Sequence, residues 1–341
     1  MTFNPNRRQV LASTLALAAG GLGLLGPAGG RRAQAAVPLS LVAGRRVLDV
    51  KGRAASVFGI RQPDGTAGLV LQPGQRFLAD VLNQAGEDTV IHWHGQTPPN
   101  VQDGVVETGT PLIKAGARQS YDFAPRPGTH WMHSHHGLQE QLLMAAPLVV
   151  LTAEDLRADV QEVILLLHDF SFQDPAELFK QVTGPGMAMP GMATASGPDL
   201  NDIDYDAYLA NDRTLDDPQV VRTERNGRVR LRIINGATSS AFWIDLGAAT
   251  ATVLAVDGNA VQPVTASRFP LAQGQRLDLL IAVPAGGALP VLAQREGDRA
   301  RTGIVLAAPG AAVWDCPALV DTLTLSSEVF PYAQESSAVF T

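Results

Sequence analysis

Short apolar runs bounded by turn residues recur along most of this 341-residue sequence. They are rich in Val, Leu and Ile, and examples are RFLADVLN, APLVVL, EVILLLHDF, VRLRIIN, ATVLAV and RLDLLIAV. Runs of this length and spacing are typical of β-strands in sandwiches or barrels. An all-β fold is therefore predicted, and the chain is long enough for two domains with separate cores.

A change of pattern marks the expected domain boundary. The segment TAEDLRADVQ (152–161) begins with a threonine followed by acidic residues, as helix N-termini commonly do. We expect a short helix or linker here, between a first β-domain over residues 36–155 and a second over residues 156–310. Residues 311–341 are expected to form a truncated tail or a linker. The acid-rich stretch 201–218 is interpreted as a solvated loop.

A weak internal repeat supports two related domains. The segment GQRFLADVLN begins at Gly74, and GRVRLRIIN begins at Gly227. Counting nine and eleven residues beyond the asparagine that ends each segment, Asn83 or Asn235, gives His92 and His94 in the first half but Ile244 and Leu246 in the second. Counting five and seven residues beyond Gly128 and Gly287 gives His133 and His135 against Leu292 and Gln294. A duplicated β-domain is predicted, with metal ligands in the first copy only.

Six of the seven histidines lie between residues 92 and 136. His92 and His94 are two residues apart, as are His133 and His135, so each pair shares one face of a strand. Two neighbouring strands could bring these four imidazoles together, in a site that suits copper, zinc, iron or nickel and binds copper(II) most tightly. The remaining histidines are expected to be structural: His130 and His136 beside the site, and His168 in the core, paired with Asp169.

The N-terminal segment is interpreted as an export signal. Arg7 and Arg8 precede an apolar, glycine-rich run and the small residues of Ala33-Gln34-Ala35, which fit a twin-arginine-type signal over residues 1–35. A membrane anchor is the alternative. Removal of this segment would change the net charge from −7 to −11, which disfavours nucleic-acid binding on electrostatic grounds. The single cysteine, Cys316, cannot form an internal disulfide.

HWHG, followed by HSH about forty residues later, resembles the first cupredoxin-type domain of the multicopper oxidases. MHSHHGLQEQ is similar to the bacterial copper-resistance branch of this family. The resemblance implies tandem cupredoxin-like (plastocyanin-like) Greek-key β-sandwiches and copper as cofactor. It implies that His92 is a ligand of the type 2 copper, His94 and His133 of one type 3 copper, and His135 of the other. Asp103 would assist proton delivery during O2 reduction; an Asp-Gly turn is the alternative.

The resemblance also predicts an incomplete site. The family takes single electrons from Cu(I) or phenol-like reductants at a type 1 copper, which needs a cysteine and two histidines, and reduces O2 to water at a cluster held by eight histidines. This sequence has seven histidines, and Cys316 lies in AVWDCPALVD rather than between two histidines. We therefore expect no turnover by the chain alone, with the missing half-site supplied by a third domain or another chain.

Two further functions remain open from the sequence. The first is a non-catalytic periplasmic copper-binding protein, in which Met187, Met189 and Met192 could add soft ligands for Cu(I). The second is a cupin-like metalloenzyme that holds its metal with His133, His135 and Glu140. Export predicts a periplasmic or secreted protein with no membrane span after signal cleavage. The resemblance implies O2 and a small reductant or Cu(I) as its substrates.

Overall fold

The structure is a computed structural model that describes residues 37–183, 200–224 and 227–312. The predicted signal segment, the three methionines between residues 187 and 192, and Cys316 with the predicted tail from residue 313 lie outside the described residues. All seven histidines lie inside them. No helix in the described ranges is long and apolar enough to span a membrane.

Strands make up most of the secondary structure of the described residues, which also contain two short helices and two 3₁₀ turns. The strands are β1 Leu39–Val50, β2 Arg53–Arg61, β3 Leu69–Leu71, β4 Phe77–Gln84, β5 Ile91–His94, β6 Arg118–Phe123, β7 Gly128–Ser134, β8 Ala145–Val150, β9 Gln161–Phe170, β10 Ala207–Ala210, β11 Gln219–Arg222, β12 Arg228–Asn235, β13 Phe242–Asp245, β14 Ala251–Val256, β15 Asn259–Ala266, β16 Arg268–Leu271, β17 Arg276–Ala282, β18 Ala288–Arg295 and β19 Arg301–Ala307. The helices are α1 Ala153–Arg157 and α2 Pro175–Thr183, and the 3₁₀ turns are Asn100–Gln102 and Val106–Thr108.

These strands build two β-sandwiches in sequence. In the first sandwich the sheets have the strand orders β2-β1-β4-β6 and β3-β8-β7-β5. In the second they are β10-β9-β12-β17-β14-β15 and β11-β19-β18-β13-β16. Each sandwich has its own apolar core, with Phe77 and Trp93 in the first and Leu231 and Val291 in the second. The predicted all-β architecture of tandem sandwiches is confirmed.

Helix α1 lies between the two sandwiches, within the segment 152–161 for which a short helix or linker is predicted. Thr152 caps it, since its Oγ1 accepts a hydrogen bond from the Asp155 backbone N–H (3.1 Å) while Asp155 Oδ2 accepts one from the Thr152 backbone N–H (2.8 Å). The interpretation of residues 201–218 as a solvated loop is wrong in part. Residues Ala207–Ala210 form the buried strand β10, which pairs with β9. The acidic neighbours hide a four-residue apolar run too short to give a clear pattern.

One face of β7 lies against the second sandwich. Thr129, Trp131 and His133 alternate along the strand, so they share this face. Thr129 Oγ1 donates to Asp278 Oδ1 (2.5 Å), and Trp131 packs in an apolar cluster with residues of β9 and β12. The strand that carries His133 is therefore fixed from outside its own domain.

Arg232 is the centre of this interface and is fully buried. Its guanidinium donates to Asp278 Oδ2 (2.8 Å), to Glu162 Oε2 (2.6 Å) and to Thr129 Oγ1 (2.9 Å), and it lies 3.3 Å from Asp155 Oδ2. The contacts thus join the first sandwich, the linking helix and the second sandwich. A buried charge with several charged partners is costly to disrupt, because removal of one member leaves the others desolvated and unpaired.

Substitution Arg232→Met should lower the free energy of unfolding by about 3 kcal/mol, because buried Asp278 would lose one of the two arginines that bind it, with Arg230 remaining, and Glu162 and Thr129 would lose their hydrogen bonds from Arg232. Denaturant unfolding of the full chain measures this loss. Arg157→Met is the matched control, since its ion pair with Glu154 is exposed on both sides and its loss should change the free energy of unfolding far less. Equal losses in the two variants would contradict a structural role for the buried network.

The internal repeat is visible in the hydrogen bonds of two buried asparagines. Asn83 Oδ1 accepts from the backbone N–H two residues further along (2.9 Å), and its Nδ2 donates to the carbonyl of Ile113 (2.8 Å). Asn235 makes the same two contacts, at 3.0 Å to the N–H two residues further along and at 3.1 Å to the carbonyl of Leu271. The turn that follows β4 in the first sandwich therefore has the same asparagine hydrogen bonds as the turn that follows β12 in the second.

The ungapped alignment beyond this turn is wrong by one residue. Ile244 and Leu246, which it matches to His92 and His94, point into the core of the second sandwich. Trp243 and Asp245 lie on the other face of β13. Strand β5 begins eight residues after Asn83 and β13 seven residues after Asn235, and a difference of one residue exchanges the two faces of a strand. None of these β13 positions is a histidine.

Candidate metal centre

The short strand β5 and the end of β7 bring the motif histidines together. Ile91 and Trp93 of β5 face the core of the first sandwich, so His92 and His94 face the opposite side. In the antiparallel pairing of β5 with β7, His92 lies opposite His133 and His94 lies opposite Trp131. His135 follows directly after β7 and is exposed. We call the four residues His92, His94, His133 and His135 the histidine cluster.

The rings of the histidine cluster are close enough to share metal ions. His92 is 5.8 Å from His94, 5.5 Å from His133 and 5.5 Å from His135, measured between ring centroids. His133 is 5.6 Å from both His94 and His135. Ligand nitrogens of His92, His94 and His133 all lie within 4.8 Å of one another. The structure thus places the four predicted ligands together.

The loop after β5 orients His92. The ring donates from Nδ1 to the backbone carbonyl of Asp103 (2.7 Å), which leaves the Nε2 lone pair available as a ligand. The carboxylate of Asp103 is farther away, 3.7 Å from the same nitrogen. Gly104 allows this contact, because a Cβ there would lie 1.9 Å from the carbonyl oxygen of Ile91, and its φ is +82°.

His133 is oriented by two acceptors on its far side. Its Nδ1 donates to the Ser134 carbonyl (3.1 Å) and lies 3.0 Å from Glu140 Oε2. Its Nε2 is 3.4 Å from His94 Nδ1. Two nitrogens can have this separation when both bind the same ion, each at about 2 Å. Trp131 stacks on both rings, at 5.0 Å from His94 and 4.2 Å from His133.

Burial favours the neutral form of the rings that a metal requires. Desolvation lowers the pKa of His92, and it lowers the pKa of His94 to about 3, with the charge of Arg276 as the next cause. Arg276 belongs to the second sandwich, and it donates from Nε to the backbone carbonyl of Thr129 (3.3 Å). The second sandwich therefore places a fixed positive charge near this side of the cluster.

The other histidines lie outside the histidine cluster. His130 is fully buried, with Nε2 donating to the Pro127 carbonyl (3.2 Å), and burial lowers its pKa to about 4. His168 is a core residue as predicted, but the predicted pairing with Asp169 is wrong. Its Nδ1 donates to the Gly236 carbonyl (2.8 Å), because neighbouring residues of a strand point to opposite faces. The Asp169 carboxylate instead accepts backbone N–H groups of residues 238 and 239.

The neutral state of buried His130 makes stability depend on pH. Its pKa falls from 6.5 in the unfolded chain to about 4, so the unfolded state binds more protons between these values and stability decreases as pH falls through this window. From pH 7 to pH 5 the loss due to this residue is about 2 kcal/mol. We expect the free energy of unfolding of His130→Gln to decrease by about 2 kcal/mol less than that of the wild type between pH 7 and pH 5. Urea unfolding with a chelator present measures this difference. If His130→Gln and the wild type lose the same free energy of unfolding between pH 7 and pH 5, this assignment is contradicted.

Glu140 and Gln139 lie beside the cluster, in positions that the sequence did not predict. The cupin arrangement would have Glu140 and His133 hold one ion, but Glu140 lies at Nδ1 of His133 whereas His94 lies at Nε2. Gln139 was missed altogether. It is buried, and its side-chain Oε1 accepts from the hydroxyls of Thr89 and Ser134, both at 2.7 Å. The only signal in the sequence is its position four residues after His135, and that spacing does not show that the side chain is buried.

Residues 51–155 match a family profile described as multicopper oxidase, and residues 161–303 match a second profile with the same description. The chain belongs to the multicopper oxidase family. Multicopper oxidases bind copper and couple the oxidation of reducing substrates to O2. The imidazole donors of the histidine cluster are chemically suited to that metal, and ligand nitrogens of three of them lie within 4.8 Å of one another.

Curated relatives agree with this assignment. Multicopper oxidase MmcO of Mycobacterium tuberculosis is 32% identical over 242 residues, which cover 67% of this chain and 48% of that protein. Copper resistance protein A of Escherichia coli is 28% identical over 264 residues, which cover 67% of this chain and 44% of that protein. The chain thus spans about half the length of these relatives.

Solved structures share the fold. Lac15 from a marine microbial metagenome has a TM-score of 0.61 at 25% identity, covering 86% of this chain and 70% of that one. The blue copper oxidase from Nitrosomonas europaea has a TM-score of 0.61 at 21% identity, covering 88% of this chain and 93% of that one. The cupredoxin-like fold predicted from the sequence resemblance is therefore confirmed.

Proposed function

We propose that this chain contributes half of a trinuclear copper site that reduces O2 to water with single electrons from Cu(I) or phenol-like reductants. The convergence of His92, His94, His133 and His135 on one edge of the first sandwich supports this proposal most directly. His92 is the ligand of a type 2 copper, His94 and His133 serve one type 3 copper, and His135 serves the other. The 3.4 Å between His94 Nδ1 and His133 Nε2 supports the shared assignment.

The residues around the cluster prepare it for the metal. Asp103 and Ser134 accept hydrogen bonds from the Nδ1 atoms of His92 and His133, and so direct the Nε2 lone pairs into the cluster. Bound copper would supply the one-electron redox steps. The Asp103 carboxylate, partly exposed and near the His92 ring, would pass protons to the site where O2 is reduced.

The proposal includes where this half-site belongs. The first domain, residues 36–155, holds the copper ligands, and the second, residues 156–310, holds none. With seven histidines in the sequence, the remaining ligands and the electron-entry copper come from a further domain or another chain. A twin-arginine-type signal at residues 1–35 would deliver the protein to the periplasm or the exterior.

Copper titration of the purified full chain tests the ligand assignment. His92→Ala and His133→Ala should each weaken copper binding at least tenfold, because each removes an imidazole donor from the cluster. His136→Ala is the matched control: it removes an adjacent imidazole that lies outside the cluster, and binding should stay within about twofold. An equal effect of His136→Ala, or none of His92→Ala, would overturn the assignment.

Oxygen consumption with Cu(I) or a phenol as reductant tests the reaction. The copper-loaded chain alone should consume no O2 above the background of free copper, whereas the native assembly purified from producing cells should consume it. Copper binding without O2 consumption in the native assembly would favour copper sequestration instead.

Asp103→Asn separates proton delivery from positioning. The amide keeps the backbone carbonyl that holds His92, so copper loading should be unchanged, while O2 consumption by the native assembly should fall about a hundredfold. Glu107→Gln changes an exposed acid of the same loop and should leave the rate unaltered. An unchanged rate in Asp103→Asn would reduce Asp103 to a turn residue.

A further inference from the structure

The carboxylate of Glu140 lies against the nitrogen of His133 that points away from the histidine cluster. We propose that Glu140 is a positioning residue that holds His133 in the tautomer with Nδ1 protonated and the Nε2 lone pair directed into the cluster. The inference rests on the proposed copper site, because only a metal at Nε2 gives this tautomer its purpose.

The contacts of the ring define the tautomer. Nδ1 has the carbonyl oxygen of Ser134 at 3.1 Å and Glu140 Oε2 at 3.0 Å. Both oxygens are acceptors only, so an unprotonated Nδ1 would place its lone pair against two others. The ring is buried, which strengthens this repulsion. Nε2, free of such contacts, faces His94 Nδ1 at 3.4 Å.

The residue before Glu140 fixes its position from the first sandwich. Gln139 Nε2 donates to Glu87 Oε1 (2.8 Å) and to the Asp88 carbonyl (2.9 Å), while its Oε1 accepts from two hydroxyls of the strand side. Its own carbonyl accepts the backbone N–H groups of residues 142 and 144. The turn around Glu140 is thus tied to the edge that carries the cluster.

The residue after Glu140 is held by the second sandwich. Gln141 Oε1 accepts from Thr238 Oγ1 (2.6 Å) and from the hydroxyl of Tyr205 (3.2 Å). Glu140 therefore lies between one anchor in each sandwich, and these anchors hold its backbone beside His133. An acidic side chain that merely solvated the turn would need neither anchor.

Comparison with His92 shows what Glu140 adds. His92 also donates from Nδ1 to a backbone carbonyl, but its nearest carboxylate, that of Asp103, is 3.7 Å away. An anionic acceptor beside a ligand histidine raises the basicity of the metal-binding nitrogen, and removal of such a partner commonly costs ten- to a hundredfold in metal affinity. His133 has the closer carboxylate.

Two measurements on the full-length chain test the role of Glu140. In ¹⁵N-histidine NMR spectra with a chelator present, His133 should be protonated at Nδ1 in the wild type, and Glu140→Gln should show a measurable fraction protonated at Nε2. In competition titrations with Cu²⁺ alone as probe, Glu140→Gln should bind about tenfold more weakly than the wild type.

Glu87→Gln is the matched control. It removes the same charge from the same region and keeps an oxygen for Gln139, yet Glu87 contacts no ring of the cluster in the described residues. In Glu87→Gln, His133 should remain protonated at Nδ1, and the Cu²⁺ affinity should stay within twofold of that of the wild type. The proposal is overturned if Glu140→Gln behaves like the wild type, or if Glu87→Gln changes both quantities as much as Glu140→Gln does.

The two proposals fail in different ways. If the wild-type chain does not bind Cu²⁺ through its cluster while Glu140→Gln still changes the His133 tautomer, the proposed function is wrong and the positioning role stands. If the wild type binds Cu²⁺ and loses it in His133→Ala, but Glu140→Gln alters neither tautomer nor affinity, the copper site stands and the role of Glu140 is refuted.

Discussion

The pairing of His92 with His133 across β5 and β7 is the constraint on which the rest of the site depends. Strand β5 has only four residues, so its register is set by the side chains on its other face. Trp93 packs against Phe77 and Tyr121, with ring centroids 4.6 Å and 4.8 Å apart. A shift by one residue would exchange these faces and bury the histidines in place of the tryptophan. Core packing therefore fixes the register and, with it, the geometry of the ligands.

The second sandwich has no cluster histidine, yet the site depends on it. Asp278 binds Thr129 at one end of the face of β7 that lies against the second sandwich, and Trp131 packs on apolar residues of that sandwich in the middle. Arg276 adds a positive charge near His94, and Thr238 holds the turn that contains Glu140's neighbour. The second sandwich thus contributes to the site by holding the strand that carries a ligand, although it supplies no cluster histidine itself.

The sequence predicted what depends on local pattern. Alternation gave the shared face of His92 and His94, turn residues gave the strands, and the threonine with its acids gave the helix that begins at Ala153. Contacts between residues that are distant in the sequence could not be predicted from it. The Gly236 carbonyl that holds His168 is distant in sequence, and one residue of loop length displaced the repeat at Ile244. The role of Glu140 required the position of the ring it approaches, which no spacing rule provides.

The arrangement of the cluster also links metal binding to folding. Burial lowers the pKa of His92 and His94, so these rings are neutral in the folded chain and direct lone pairs towards their neighbours. An ion bound to several of these nitrogens binds the folded state, because β5 and β7 are paired only there. Copper should therefore act as a ligand of the native state that stabilises the histidine edge together with the contacts behind it.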